Sequence, residues 1–443
     1  MSHPLLIENG TLLSPQGPAT VRRNQCVLIE DGIITRVGPR ARIGRFTGQR
    51  IDAAGKVVLP GLINAHTHLY SAFARGLTKT KPARDFPAVL RNLWWRLDSA
   101  LSTEDCYHSA LVMLIDSIRH GTTTVIDHHA SPGALGGSLD AIARAVRETG
   151  LRACLCYEVS DRDGGLIARE GLEENVHFIR RCQTDNGGHL RALFGLHASF
   201  TLGNATLEAA ASLGHELQTG FHIHVAEAPA DQQVTRRAAR LRVVERLQRF
   251  GILGERSIAA HCIHVSPREV GLLADTGTAV VHNPQSNLNN AVGIADVVAL
   301  ALRGALVGLG TDAMTSNLLE ELRVALWAQH FRHGDPSVGW AELTSALFDG
   351  NAAIAERIFG LPFGGIRAGC AGDVVVFDYD PPTPLTGASA LGHVVFGLSQ
   401  APVNTTIVGG RVLMHHRQLT LDLDEARIHA RARELAKNLW QRL

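Results

Sequence analysis

Eight short apolar segments, at 57–65, 122–129, 151–158, 191–198, 220–226, 256–262, 278–282 and 305–310, punctuate the middle of this chain and are separated by stretches of helical character. Strands that alternate with helices in this way are parallel, because a parallel strand needs a crossover to return to its sheet. The segments Asp105 to His120, Leu139 to Thr149 and Ala238 to Phe250 repeat apolar residues at intervals of three and four, which predicts amphipathic helices. The count of eight favours an α/β fold built on a closed (β/α)8 barrel of the TIM type, spanning 59–364. The competing open sheet ordinarily carries a glycine-rich phosphate loop after its first strand, and the sequence has none there.

Both ends of the chain have a different texture. Leu5-Leu6-Ile7 and the run from Cys26 to Gly38 read as short strands, with Asp31-Gly32 as a hairpin turn. The same pattern returns at Gly372 to Asp378 and at Thr405 to Leu413, where Gly409-Gly410 sits between strands. Residues 1–58 and 365–420 are therefore expected to build one small composite β-sandwich domain, followed by a C-terminal helix at 421–443.

A barrel presents its chemistry at the C-terminal ends of its strands, so polar residues should collect there. They do. The first strand runs into His66 and His68, the second into Asp127-His128-His129, the fourth into His197 and the fifth into His222-Ile223-His224-Val225-Ala226-Glu227. The sixth carries His261, the seventh ends at His282-Asn283-Pro284 and the eighth at Gly310-Thr311-Asp312. Each residue alone reads equally well as a satisfied histidine or a helix cap, but seven strand ends with imidazole or carboxylate form a basin suited to a metal ion. In His66-Thr67-His68 the two imidazoles share one face of the strand. A third imidazole from the fifth strand and the Asp312 carboxylate would complete a His3Asp set with room for water. Barrels of this kind that hold two ions usually bridge them with a modified lysine near the fourth strand, a role a carboxylate can also fill, and this chain has no lysine between Lys81 and Lys437. One divalent ion is expected. Glu227, three residues after His224, is placed to take a proton from activated water and return it to the substrate. Its competing reading is a first-turn residue of the next helix, and the two roles are compatible.

Composition narrows the partners. The chain has 443 residues, a formal net charge of +1 and no long single-sign run, so electrostatics gives no reason to expect nucleic acid or an anionic membrane. No secretory signal opens it and no segment approaches eighteen uninterrupted apolar residues, which leaves the cytoplasm as the expected location. Its seven cysteines are odd in number and lack a C-x-x-C, so reduced, buried thiols are expected.

The motifs P-G-L-I-N-A-H-T-H, H-I-H-V-A-E, A-A-H-C, H-N-P-Q-S-N and G-L-G-T-D, in order from residue 60 to residue 312, resemble the amidohydrolase superfamily. More narrowly the chain is similar to the branch of chlorohydrolases, guanine deaminases and cytosine deaminase-like enzymes. The stretches Asn92 to Asp98, Val125 to Pro132 and Ser286 to Asn290 resemble the SsnA type of aminohydrolase within it. That resemblance implies a zinc ion, or alternatively iron, held by His66, His68, His224 and Asp312. It implies Glu227 as proton shuttle, His261 as the group that stabilises developing charge, and Asp312 as a second partner of the attacking water. It also puts His197 beside the substrate, although Ser199 and Phe200 replace the family's proline and tyrosine after it. A homodimer is a further family expectation.

The long segment after the first strand carries Arg75, Trp94 and Trp95. One reading has Trp95 stacking on a flat heterocycle and Arg75 reading a carbonyl; the other has both tryptophans packing a surface helix. Asn283 and Ser286 either contact a nitrogen ring or fix the loop beside Asp312. The expected chemistry is hydrolytic deamination of a purine-, pterin-, pyrimidine- or triazine-like ring with release of ammonia. The same site would also suit opening of a ring amide or removal of another leaving group. A scaffold that has lost its chemistry is disfavoured, because both the ligands and the base are retained.

Overall fold

The computed structural model describes residues 4–78, 80–185 and 187–443. Strands from both ends of the chain share one nine-stranded sheet. Gln418–Leu419, Arg411–His415, Val403–Val408 and Val374–Phe377 lead into Val57–Pro60, then Leu5–Ser14, Thr20–Glu30 and Ile33–Gly38, with Gln49–Asp52 also paired to Leu5–Ser14. The join between the ends is antiparallel, with Val374 opposite Pro60 and Phe377 opposite Val57. Asp31 and Gly32 both have positive φ (48° and 81°), as do Gly409 and Gly410 (54° and 75°), the geometry a two-residue hairpin requires. Gly372 links the two hairpins, donating to the Gly32 carbonyl at 2.7 Å and accepting from Gly410 N–H at 3.0 Å. The sheet thereby folds over a core that includes Leu5, Ile7, Val27, Val58, Val376 and Ile407.

The apolar run read as 57–65 is divided at Gly61. Val57–Pro60 belongs to the terminal sheet, and the first barrel strand is Leu62–Thr67. Its successors are Thr122–Asp127, Arg152–Leu155, the broken fourth strand Leu190–Ala192 and Phe194–Ala198, then Phe221–Val225, Ile258–His261, Ala279–His282 and Val307–Leu309. These strands are buried almost throughout, as parallel strands covered on both faces must be. Their ladders form one run of four strands and one of five. A buried asparagine spans each junction between the two runs. Asn175 accepts from Tyr157 N–H and Gly195 N–H and donates to both of their carbonyls, at 2.8 to 3.4 Å. Asn351 accepts from Leu309 N–H and donates to the carbonyls of Ile63 and Leu309, joining the last strand to the first. Side-chain amides serve here because each supplies both donor and acceptor where a backbone ladder is interrupted.

The helices Thr103–Arg119 and Ser138–Thr149 match the sequence periodicity, the first opened by a capping box between Ser102 and Asp105. The expected single helix from Ala238 to Phe250 is instead two, Pro229–Ala239 and Val243–Arg249, broken where Arg240 adopts a left-handed conformation (φ 57°). Arg242 and Arg246 explain the break. Arg242 donates to Glu269, and buried Arg246 donates to the carbonyls of Ser199 and Leu202. The seven cysteines are buried and unbridged, and no helix among the described residues is long and apolar enough to cross a membrane.

Two contacts tie other parts to the barrel. Arg152 of the third strand makes a buried two-pronged ion pair with Asp373, at 3.1 and 3.3 Å, at the edge of the terminal sheet. Arg152→Met strands that carboxylate and is expected to lower unfolding free energy by about 3–5 kcal/mol, read as a reduced urea midpoint. The C-terminal helix, Glu425–Arg442, sets Leu435 and Leu439 into a cluster with Tyr70, Phe73, Leu97 and Leu101, and Trp440 Nε1 donates to the Phe73 carbonyl at 2.8 Å. That helix therefore backs the segment between the first barrel strand and the first long helix.

Candidate active site

Three imidazoles meet at the mouth of the barrel, and each has its Nδ1 engaged elsewhere. His68 Nδ1 donates to the carbonyl of His128 (2.5 Å), His224 Nδ1 donates to the carbonyl of His197 (3.1 Å), and His66 Nδ1 is 2.8 Å from His222 Nε2. A carbonyl can only accept, so the first two contacts fix the tautomer and leave Nε2 with a lone pair directed into the site. His224 Nε2 is 3.3 Å from His68 Nε2, and His66 Nε2 is buried without a hydrogen-bond partner. One nitrogen from each of His66, His68 and His224 lies within 4.8 Å of the other two. His66, His261 and Asp312 satisfy the same criterion, and Asp312 Oδ1 is 3.1 Å from His68 Nε2. Buried lone pairs that converge without donors between them fit a divalent cation. His222, the alternative on the fifth strand, is engaged with the far side of His66 instead.

The residues around this set are held in place. Asp312 has φ 51°, its carbonyl accepts from Thr67 Oγ1 at 3.0 Å, and its Oδ2 accepts from Ser286 Oγ at 2.5 Å. His261 also has positive φ (72°), and its Nδ1 lies 2.8 Å from Asn287 Oδ1. Its Nε2, which lacks a hydrogen-bond partner, points between Glu227 Oε2 at 3.6 Å and Asp312 Oδ2 at 3.7 Å. Ala226, just before Glu227, is the third left-handed residue here (φ 48°), and its N–H is bonded to Asp231 Oδ2 at 2.8 Å. Left-handed backbone at three strand ends turns His261, Glu227 and Asp312 toward one point, a local cost that the surrounding bonds sustain. Gly310 is packed against this centre: a Cβ there would lie 2.5 Å from Asn283 Oδ1 and 2.7 Å from the His66 carbonyl. Gly310→Ala is therefore expected to cost about 1–3 kcal/mol of stability and to lower the metal retained after dialysis.

Burial and the neighbouring imidazoles push the His66 and His224 pKa values well below the usual histidine range, so both rings are neutral, as ligands must be. Burial also acts to lower that of His68, but the bond and charge of Asp312 outweigh it and raise it to about 9. Burial acts to raise Asp312, and the His68 bond and charge overcome it and hold its carboxyl low. Burial and the adjacent Asp312 charge push Glu227 upward. The Asp312 carboxylate thus favours a cation at His68 Nε2, and a divalent ion there would displace the proton.

Above this site lies a cavity whose wall includes Phe86, Trp94, Trp95, Phe200, Glu158 and Arg162, with His68, His197, His224, Glu227 and Asp312 at the chemical end. His197 and Trp95 thus reach the cavity. Arg75 does not. Its side chain is 65% exposed and sits 3.9 Å from Asp116 Oδ2, because its loop turns outward before the helical residues 86–100 return to the barrel mouth. Asn283 is buried behind the centre against Gly310, and Ser286 fixes Asp312, so both support the site rather than line the cavity. The segment that follows the third strand supplies what the spacing of the motifs does not single out. Glu158 stands 3.2 Å from His128 Nδ1, and Arg162 pairs with Asp98 at 2.5 Å while lying 5.3 Å from the Trp95 ring centre. The signal was available, since the apolar segment 151–158 itself ends in Glu158.

The amidohydrolase family pattern matches residues 57–413, most of the chain. The chain belongs to this family. Among its relatives, the 5-methylthioadenosine/S-adenosylhomocysteine deaminase of Pelotomaculum thermopropionicum is 32% identical over 446 aligned residues, which cover 99% of each chain. The 5′-deoxyadenosine deaminase of Methanobrevibacter smithii is 32% identical over 444 residues, 98% of each. An adenosine deaminase from Xanthomonas campestris, solved with bound zinc, superposes on this amidohydrolase with a TM-score of 0.87 at 24% identity, covering 99% of this chain and 98% of that one. The last likeness carries the fold.

Proposed function

We propose that this chain is a metal-dependent hydrolase that deaminates a nitrogen heterocycle and releases ammonia. The observation that carries this reading is the set of three tethered imidazoles and Asp312 beside Glu227, beneath an aromatic cavity. His66, His68, His224 and Asp312 would hold one divalent ion, zinc first and iron second, which lowers the pKa of an attacking water to about 7. Glu227 takes a proton from that water and delivers it to a ring nitrogen, a role suited to a buried carboxyl whose proton affinity is raised. His261, with Nε2 aimed between Glu227 and Asp312, would take up a proton there and in that form steady negative charge as it grows on the attacked side. Asp312, with Ser286 fixing its Oδ2, orients the water, and the aromatic wall of Trp94, Trp95 and Phe200 holds the ring in line.

Relatives named as deaminases of 5-methylthioadenosine, S-adenosylhomocysteine and 5′-deoxyadenosine support the reaction class. Within this reading, residues 59–364 are the catalytic unit, 1–58 with 365–420 the composite domain and 421–443 the supporting helix. A dimer in the cytoplasm completes it, and sedimentation of the pure protein tests the first part. The central test is ammonia release by metal-loaded protein across purines, nucleosides, pterins, pyrimidines and triazines, with metal content measured in the same preparation. Deamination leaves the product mass almost unchanged, whereas ring opening adds a whole water. A metal-replete protein that liberates no ammonia from any of them refutes the proposal.

A further inference from the structure

Glu158 lines the cavity beside the proposed metal ligands, and the reaction as written leaves it without a task. It is built in firmly. Its N–H donates to the His129 carbonyl at 2.7 Å, and its side chain is only 5% exposed. Oε2 faces His128 Nδ1 at 3.2 Å, but Oε1 faces His197 Nε2 at 3.6 Å, beyond hydrogen-bond length. A buried carboxylate oxygen inside a cavity calls for a donor.

Distance limits what that donor can be. Ligand atoms of His68, His128 and Glu158 all lie within 4.8 Å of one another, and His68 is one of the groups that would hold the ion. A ring attacked beside His68 therefore passes close to the Glu158 carboxylate. Glu227 lies with His261 and Asn290, whereas Glu158 lies with His128 and His197, and both carboxyl groups line the cavity that His68 enters.

We infer that Glu158 reads an N–H of the reacting ring and that the preferred substrates are cyclic guanidines, in which the amino-bearing carbon lies between a lone-pair nitrogen and a ring N–H. Glu227 protonates the first nitrogen and Glu158 holds the second. An adenine ring flanks its amino carbon with one lone-pair nitrogen and one carbon, and its next nitrogen on that side is again an acceptor, which Glu158 repels. The inference rests on the deaminase reading above and departs from the adenine-type substrates for which the 32%-identical relatives are named.

The test compares kcat/KM of the zinc-loaded full chain for isocytosine and guanine with that for adenosine and 5′-methylthioadenosine, in wild type, Glu158→Gln and the charge-retaining Glu158→Asp. Wild type is expected to favour the guanidines by roughly 10–100-fold, the scale of one hydrogen bond to a charged group. Glu158→Gln should shrink that ratio at least tenfold, mainly through KM, with bound zinc and Tm unchanged, while Glu158→Asp keeps the preference at weaker affinity. Calorimetric affinity for uracil, the isocytosine product that retains the ring N–H, should fall in parallel in Glu158→Gln. A wild-type preference for adenine nucleosides overturns the inference, as does an equal loss on both classes in Glu158→Gln. Ammonia from none of the rings overturns the deaminase reading and this inference together.

Discussion

Replacing Glu227 by Gln is expected to leave the metal in place and to lower kcat by roughly 10²–10⁴-fold, the range for loss of a positioned general acid–base. The side chain is buried, 3.6 Å from His261 Nε2 and 3.4 Å from Asn290 Nδ2. The amide has nearly the same shape, so the four proposed ligands and the Ala226 turn that presents residue 227 should be undisturbed. What disappears is the ability to take and return a proton. Stopped-time ammonia assays on protein of equal zinc content check the result. A variant within threefold of wild type would remove Glu227 from the mechanism.

The second large effect separates two histidines that the sequence presents as equivalents in His222-Ile223-His224. His224→Ala is expected to abolish stoichiometric zinc and with it all turnover, because Nε2 of His224 faces His68 Nε2 at 3.3 Å. His222→Phe should instead weaken zinc by roughly 10–100-fold, the usual consequence of removing the group that orients a ligand, since His222 Nε2 faces the outer nitrogen of His66. Competition of each variant with a chelator gives the two affinities directly. Equal losses would mean that both imidazoles share the same task.

These contrasts mark where the sequence was informative. The barrel was legible because parallel strands buried on both faces leave uninterrupted apolar runs, and the site because those runs end in imidazole and carboxylate. Spacing alone could not choose between His222 and His224, since both lie on the same face of one strand; the resemblance made that choice, and the Nδ1 contact of His224 with the His197 carbonyl supports it. The segment after the first strand was the hardest to read. Arg75 and Trp95 looked equally available, yet their directions depend on how residues 86–100 return over the barrel, which involves the packing of a helix from the far end of the chain. The break at Arg240 was hidden for a related reason, because Arg242 and Arg246 find their partners on other elements.

The bond from Trp440 to the Phe73 carbonyl joins residues 367 positions apart. During synthesis, His66 and His68 emerge early, but the wall above them gains its backing only when the final helix docks. The terminal sheet likewise cannot close before Val374–Phe377 meets Val57–Pro60. Such distant pairings make for slow maturation, and a partly made chain would carry an unpaired strand edge and open apolar surface for a long interval. The ribosome must therefore deliver nearly the whole polypeptide before a competent pocket exists, which makes chaperone demand during expression, rather than equilibrium stability, the expected bottleneck in producing this enzyme.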